Sequence, residues 1–480
     1  MGHLGEYDLL VMGGGAAGLT VVAGAARLGV RVLLVESERA LGGDCLHFGC
    51  VPSKTLIETA RVRHLAGRAA EYGLPAIEPG PVDFALVRRR IQGVIAGIQE
   101  HDSPDRFRRL GAEVHFGQAR FVDDHTLELD GRRITADRIV IATGSRAAVP
   151  DIPGLASSGY LTNRELFSLE KLPASLVILG GGAIAAEMGQ AFARLGSRVT
   201  VVQRSAQLLS REDADLAAVV AAGLAADGVE VCLDSVVESV AGPDAAGLRT
   251  VTVIHGGQRR GIAAEAILVA MGRTPNLDAL DLDAAGIAYT EKGLVLDDRL
   301  RTSVPHVFGA GDVTGGHQFT HAAGYEGGVV VAGAVFRLPR RVDYTFMPRC
   351  AFTDPALAAA GLTESGARAA GIAHTVIAEP FAGNDRARAA GETAGLVKLV
   401  LGKRGRLLGV GIVGSGAGEL LAQWLAARAG KVGLSTLAGT VLPYPTLGET
   451  GKRAAGRTLE TKLFSPLVRR VLRLVFGYRG

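Results

Sequence analysis

The residues best equipped for chemistry lie in one stretch, Leu-Gly-Gly-Asp-Cys-Leu-His-Phe-Gly-Cys-Val-Pro-Ser-Lys, from Leu41 to Lys54. Cys45 and Cys50 are five positions apart, with Pro52 and Lys54 just beyond. Residues four or five apart on a helix lie close on one face, so the two sulfurs have the spacing to join as a small redox disulfide. A thiol near a helix N-terminus or a cation has a lowered pKa, so one of the pair can rest as a thiolate, with Lys54 as the candidate cation. The alternative is two buried, inert cysteines, because free Cys packs as a small hydrophobe.

The elements around this stretch bear on the choice. Tyr7 to Met12 reads as a buried parallel strand. Gly13–Gly18 follows as G-x-G-x-x-G, then a helix over Leu19 to Leu28 and a strand from Arg31 to Val35 closed by Glu36. This is a βαβ unit with an acid about twenty positions on, the pattern of a dinucleotide site. Gly13 makes the tight turn, Gly15 admits a pyrophosphate, and Gly18 lets helix pack on strand. The phosphates would sit on the helix N-terminus, with Glu36 on a ribose.

The unit recurs 167 positions later: Ala26–Gly29 superposes on Ala193–Gly196, Gly13 on Gly180, Gly15 on Gly182, and Glu36 on Gln203. Such a repeat predicts two dinucleotide sites. In the second copy the third glycine is Ala185, and Arg204 follows Gln203. An acid would repel a 2′-phosphate and an arginine accommodates one, so the second site is expected to prefer NADP over NAD. The alternative is that Arg204 points to solvent.

Between the repeats, Val82 to Arg109 reads as a helix broken near Ser103–Pro104, and Ala112 to Leu129 as strand ending in an Asp130–Gly131 hairpin turn. Strands end in small-residue turns at Ala142–Thr143–Gly144 and at Gly272, and Gly309–Ala310–Gly311–Asp312 joins a strand to an acid ahead of a helix over Ala322 to Val335. From Thr345 onward the pattern is that of a third, α+β domain.

At 480 residues with 48% hydrophobic and 21% charged residues, the chain has ordinary globular composition. The net charge of +4 gives no nucleic-acid reading, and four cysteines do not make a secreted disulfide scaffold. The N-terminus resembles neither a signal nor a transit peptide, and no apolar run approaches the ~20 residues of a membrane span. The expected compartment is the cytoplasm.

Together, Gly13–Gly18 with Glu36, Cys45 to Lys54, Ala142–Gly144, Gly180–Glu187 and Gly309–Asp312 resemble the FAD-dependent disulfide reductases of the pyridine nucleotide-disulfide oxidoreductase family. Glutathione reductase, dihydrolipoamide dehydrogenase and mercuric reductase belong to it, and the resemblance covers nearly the whole chain. It implies two Rossmann-like dinucleotide-binding domains and a C-terminal α+β dimerisation domain in a homodimer. The expected order is an FAD domain over 1–150, an NAD(P) domain over 151–273, a return to the FAD and central domain over 274–343, a dimerisation domain over 344–461 and a tail over 462–480. The first repeat would hold FAD, with Gly43, Ala142, Thr143, Gly144 and Gly311 among its contacts and Asp312 on the ribityl chain. The second would hold the nicotinamide nucleotide, with Gly272 at its edge. Cys50 matches the thiol against the flavin, Cys45 the outer thiol that meets substrate, and Lys54 with Glu187 an ion pair beside the flavin N5.

The resemblance is closest to the mercuric reductase catalytic core, through Gln190–Ser197, Phe352–Pro355 and Leu442–Glu449. In thiol-handling members the last motif carries a histidine–glutamate pair contributed across the dimer. Here Tyr444 stands at the histidine and Glu449 remains. A phenol with a pKa near ~10 is a poor base at neutral pH. That speaks against an efficient glutathione reductase or lipoamide dehydrogenase. Two departures speak against mercuric reductase as well: a metal-capturing domain with its cysteine pair does not precede the core, and the chain ends without a cysteine pair. Cys232 and Cys350 are isolated, and Cys350 is expected to pack in a core. The acceptor is therefore left open among a small disulfide, a thiophilic metal ion and an unusual lipoyl partner.

Residues 463–476 place apolar side chains at helical spacing with arginines between, a basic amphipathic helix. It suits an anionic membrane surface or a protein partner; the alternative is a helix packed on its own dimer. Peripheral contact with the inner membrane would make a quinone or membrane-bound acceptor plausible. A non-catalytic docking protein is a further reading, opposed by intact Cys45, Cys50, Lys54 and Glu187.

Overall fold

The 167-residue repeat is a repeat of strand register. In the computed structural model, which describes residues 6–478, Leu9 pairs with Val32 and Leu10 with Ile139. Shifted by the repeat, Leu176 pairs with Val199, and on the other side of that strand Ile267 takes the place beside Val177 that Ile139 has beside Leu10. The first sheet is five-stranded and parallel, ordered 307–309, 139–141, 9–12, 32–36, 112–116. The second is four-stranded and parallel, ordered 230–232, 198–202, 175–179, 266–269. Every residue of Leu9–Met12 and Ser175–Leu179 is buried, as strands covered on both faces require. Because Val307–Gly309 joins the first sheet, the chain returns there after building the second.

Close backbone approach explains the first glycine of each copy. A Cβ on Gly13 would lie 2.3 Å from the Ala142 carbonyl oxygen, and one on Gly180 would lie 2.3 Å from that of Ala270. Both glycines have left-handed φ, +108° and +114°. After each loop a helix begins: α1, Ala16–Ala26, starts three residues earlier than the apolar periodicity indicates.

The cysteine stretch departs from expectation. Cys45 and Cys50 do not share one helix. Cys45 lies in α2, Gly43–His47, and Cys50 is the first residue of α3, Cys50–Gly67. Phe48 and Gly49 break the helical path, Gly49 at φ −124°, ψ −113°. The turn is tight enough that a Cβ on Gly49 would sit 2.9 Å from the Asp44 carbonyl oxygen. Pro52 then falls in the first turn of α3, where its missing N–H costs nothing.

Two further helices position the site. In the second copy of the unit α4 is Ala183–Leu195, and α5 is Thr320–Ala334. The C-terminal unit is a five-stranded antiparallel sheet ordered 349–351, 356–361, 407–414, 396–401, 375–380, with Trp424 and Phe381 buried in its core. It ends in α6, Gly448–Leu463, and α7, Pro466–Phe476. The predicted break near Pro104 separates helices Phe84–Gln99 and Pro104–Arg109. Asp130 and Gly131 both have positive φ, as a two-residue type I′ hairpin needs. A three-stranded antiparallel sheet over 235–241, 249–255 and 258–264 is an addition that the sequence reading does not contain.

Candidate active site

Both cysteines are free thiols, and the Cys45 thiol hydrogen-bonds the Cys50 sulfur. That bond is the main reason the Cys50 thiol falls to about 6; the Thr320 hydroxyl and the Lys54 charge push the same way against burial. Cys45 is pushed up, chiefly by the same bond and then by burial. The pair therefore shares one proton, held on Cys45, with the charge on Cys50. Its place at the start of α3 adds the positive helix end. Thr320 Oγ1, at the first residue of α5, lies 3.3 Å from Cys50 Sγ. Thr320 is a member of this site that the sequence reading does not single out.

Four residues past Cys50, Lys54 Nζ meets Glu187 Oε2 at 2.8 Å. Glu187 is 5% exposed, so it is no ordinary surface glutamate of α4. Its other oxygen accepts the Phe352 backbone N–H at 2.9 Å, and the Phe352 ring lies 4.6 Å from Lys54 Nζ. One turn along α4, Gln190 Oε1 accepts the Asp354 N–H at 2.7 Å. Segment 352–354 thus fastens α4, and α4 fastens the lysine.

The first glycine loop fits a dinucleotide. A Cβ on Gly43 would lie 2.8 Å from the Gly15 Cα, so a side chain at 43 would crowd the N-terminus of α1, where a pyrophosphate would sit. Gly18 is as constrained, its Cβ falling 1.9 Å from the Gly13 carbonyl oxygen. Glu36 accepts the Gly14 N–H at 2.7 Å and the Glu38 N–H at 2.7 Å, so it organises the loop. Thr143 Oγ1 donates to the Asn276 carbonyl at 2.9 Å, and Gly144 turns at φ +71°.

Asp312 Oδ2 accepts from Ser145 Oγ at 2.6 Å and lies 3.4 Å from Arg273 Nε; burial raises its carboxyl above the usual range. The same arginine reaches Asp44 Oδ2 at 2.7 Å, tying the acid beside Cys45 to the one in the Gly311–Asp312 turn. The sequence reading gives Arg273 and Asp44 no role, although each adjoins a residue that has one, Gly272 and Cys45. The Gly311 N–H donates to the fully buried Glu326 at 2.6 Å.

At the second loop, Gly182 caps α4, Ala185 is fully buried, and Gln203 covers Gly181. Arg204 is exposed, and Gly272 has φ +121°. Among the described residues no acid forms an ion pair with Arg204.

Tyr444 and Glu449 make their bonds elsewhere in the chain. Tyr444 is 72% exposed and donates to Asp385 Oδ2 at 3.1 Å, which raises its phenol further above neutrality. Glu449 Oε2 accepts the Thr446 N–H at 3.3 Å. A single chain does not bond either to the cysteine pair. Cys350 is part-buried, and burial lifts it to about 12, as suits an inert packing thiol. Asp124, His125 and His306 offer ligand atoms within 4.8 Å of one another. Their imidazoles, however, stack face to face at 3.8 Å and 5°, which points in-plane lone pairs away from a shared ion.

Comparison with known proteins gives the same picture. Residues 7–327 match the family described as "Pyridine nucleotide-disulphide oxidoreductase", and 347–455 match its dimerisation domain. A mercuric reductase of Staphylococcus aureus is 35% identical over 94% of this chain and 82% of its own. A dihydrolipoyl dehydrogenase of Geobacillus stearothermophilus is 35% identical over 95% of this chain and 97% of its own. Among solved structures, the HOCl-induced flavoprotein disulfide reductase RclA from Escherichia coli superposes with TM-score 0.83 at 29% identity, over 94% of this chain and 99% of that one. Its Cu(II) complex gives 0.82 at 30%, over 92% and 98%. The chain belongs to the pyridine nucleotide-disulphide oxidoreductase family, an oxidoreductase family that depends on FAD and uses NAD(P)H.

Proposed function

We propose that this protein oxidises NADPH and delivers the electrons through Cys45 and Cys50 to a thiophilic metal ion. The observation that carries the reading is the setting of Cys50, at the first residue of α3, 3.3 Å from Thr320 Oγ1 and one turn before a Lys54 that Glu187 holds at 2.8 Å. The first glycine loop, Gly43 and Asp312 would hold FAD, which would supply the two-electron chemistry linking the nicotinamide to the Cys45–Cys50 disulfide.

The chain's own residues do the rest. Lys54, fixed by Glu187, supplies positive charge where hydride arrives, a preorganised electrostatic contribution. Cys50 keeps the inner thiolate, and Cys45 is the outer ligand or nucleophile. Paired thiolates are soft ligands and select soft ions. With a mercuric ion, one NADPH would give NADP⁺, a proton and the elemental metal. With a disulfide, Cys45 would attack one sulfur and expel a thiolate. Cys50 would then attack Cys45, reform the disulfide and release the second thiol, two thiols leaving per NADPH and proton.

Tyr444 favours the metal. In our reading it and Glu449 reach the exit from the partner subunit, and a phenol raised by Asp385 does not shuttle protons to a dithiol at neutral pH. It can hydrogen-bond a thiol or metal adduct without titrating. A relative named mercuric reductase and a structural relative solved as a Cu(II) complex support the same substrate class. The second reading, a lipoyl or other small disulfide, draws on the dihydrolipoyl dehydrogenase likeness over 97% of that chain. For the nucleotide, exposed Arg204 after Gln203 supports NADPH over NADH.

The test is steady-state NADPH oxidation with mercuric ion, cupric ion, glutathione disulfide and lipoamide. Turnover with a metal ion well above either disulfide is expected. Efficient lipoamide turnover with no metal-dependent oxidation would overturn the reading.

A further inference from the structure

The last twenty residues carry the chain's charge imbalance. Lys462, Arg469, Arg470, Arg473 and Arg479 lie in 461–480 with no acidic residue, whereas the whole chain of 52 basic and 48 acidic residues nets only +4. The first 460 residues are therefore close to neutral, and the tail holds the excess.

Within this segment α7 is a sharply divided helix. Ser465 caps it, its hydroxyl accepting the Val468 N–H, and Pro466 takes the first turn. At about 100° per residue, Leu467, Val471, Leu474 and Val475 share one face, and Arg469, Arg470 and Arg473 fall together on another. Within the single chain no residue of α7 is buried. The four aliphatic side chains are 71%, 46%, 77% and 65% exposed, and Phe464 and Phe476 are each 64% exposed. The neighbouring helix behaves otherwise, with Ala454 and Ala455 of α6 fully buried.

We infer that residues 463–476 are a peripheral anchor that lies on an anionic lipid bilayer, apolar face in the acyl boundary and arginines at the headgroups. Charge complementarity selects this occupant. A second copy of the chain offers a near-neutral body, and tail against tail would set arginines against arginines. A helix face of roughly 16 by 10 Å also falls well short of the ~800 Å² per side of a stable protein interface. A basic helix with aliphatic and aromatic side chains on the other face is what binds an anionic lipid surface. This inference is independent of the electron acceptor.

The experiment is vesicle flotation of the FAD-loaded protein, with phosphatidylcholine vesicles against vesicles that also contain phosphatidylglycerol. Binding is expected to the anionic vesicles, at least tenfold weaker to the neutral ones and weakened by high salt. Leu474→Glu and the double variant Arg469→Glu, Arg470→Glu should each lose it at least tenfold while keeping FAD and NADPH oxidation. Light scattering is run on the same samples. Absence of wild-type flotation overturns the inference. So does a Leu474→Glu protein that turns monomeric while the wild type ignores vesicles, which would make the face a contact between copies. Equal binding to both vesicle types also contradicts it.

Discussion

Lys54 Nζ stands 2.8 Å from Glu187 Oε2, and the other Glu187 oxygen holds the Phe352 backbone N–H at 2.9 Å. The lysine four residues past Cys50 is thus positioned from α4 and from the C-terminal unit at once. Glu187→Gln keeps the shape and removes the charge. It is expected to slow FAD reduction by NADPH by roughly a hundredfold, the lower end of the scale for losing a preorganised electrostatic group. Stopped-flow reduction at equal FAD content is the check, and an unchanged rate would remove Lys54–Glu187 from the mechanism.

The thiol pair sets a pH dependence. Cys50 is lowered from an ordinary thiol value of about 8.5 to about 6, so in the folded, reduced protein its charged form persists down to that pH. Its contribution to the stability of the reduced state is present in full above the ordinary value and fades as pH falls through about 6. Cys45 runs the opposite way and keeps its proton. Thiolate absorbance of the reduced protein should therefore rise by one equivalent around that pH. Since the Cys45 hydrogen bond is the larger cause, Cys45→Ala should raise the midpoint more than Lys54→Met. The reverse order would show that charge, not the hydrogen bond, governs the pair.

Much of this site is legible in the sequence, and what is not has physical reasons. The two nucleotide loops announced themselves because fully buried strands leave unbroken apolar runs, and because the close approach at Gly13 and Gly180 admits nothing larger. Cys45, Cys50 and Lys54 are local in sequence, so they could be read together. Thr320 reaches Cys50 across 270 positions, and Arg273 reaches Asp44 across 229, contacts that no local spacing encodes. The helix break between the cysteines was hidden because a tight turn at Gly49 looks like any glycine in a small-residue stretch. The sheet over 235–264 was missed where a register shift between Val237 and Ser239 interrupts the alternation a strand would show.

Tyr444 is where the acceptor is decided in our account. Tyr444→His would put an imidazole with a pKa near ~6.5 at the position of a phenol held by Asp385. If Tyr444 faces the substrate dithiol from the partner subunit, lipoamide or glutathione disulfide reduction should rise by roughly 10²-fold, the lower end of general acid–base contributions. Metal-ion turnover should change far less. No gain with any disulfide would place Tyr444 outside the substrate path.

In our account nucleotide choice rests on Arg204. Arg204→Glu should raise the KM for NADPH by roughly tenfold or more while leaving that for NADH within about twofold, because an acid repels the 2′-phosphate and binds a ribose diol. Equal losses with both nucleotides would mean that the arginine serves the fold or a phosphate common to both.

The most direct measurement of the central claim, that Cys50 is the inner thiolate against the cofactor, is the long-wavelength charge-transfer absorbance after two-electron reduction by NADPH. The account predicts the band in the wild type, its loss in Cys50→Ser, and its survival in Cys45→Ser. A band that persists without Cys50, or vanishes only without Cys45, would contradict it.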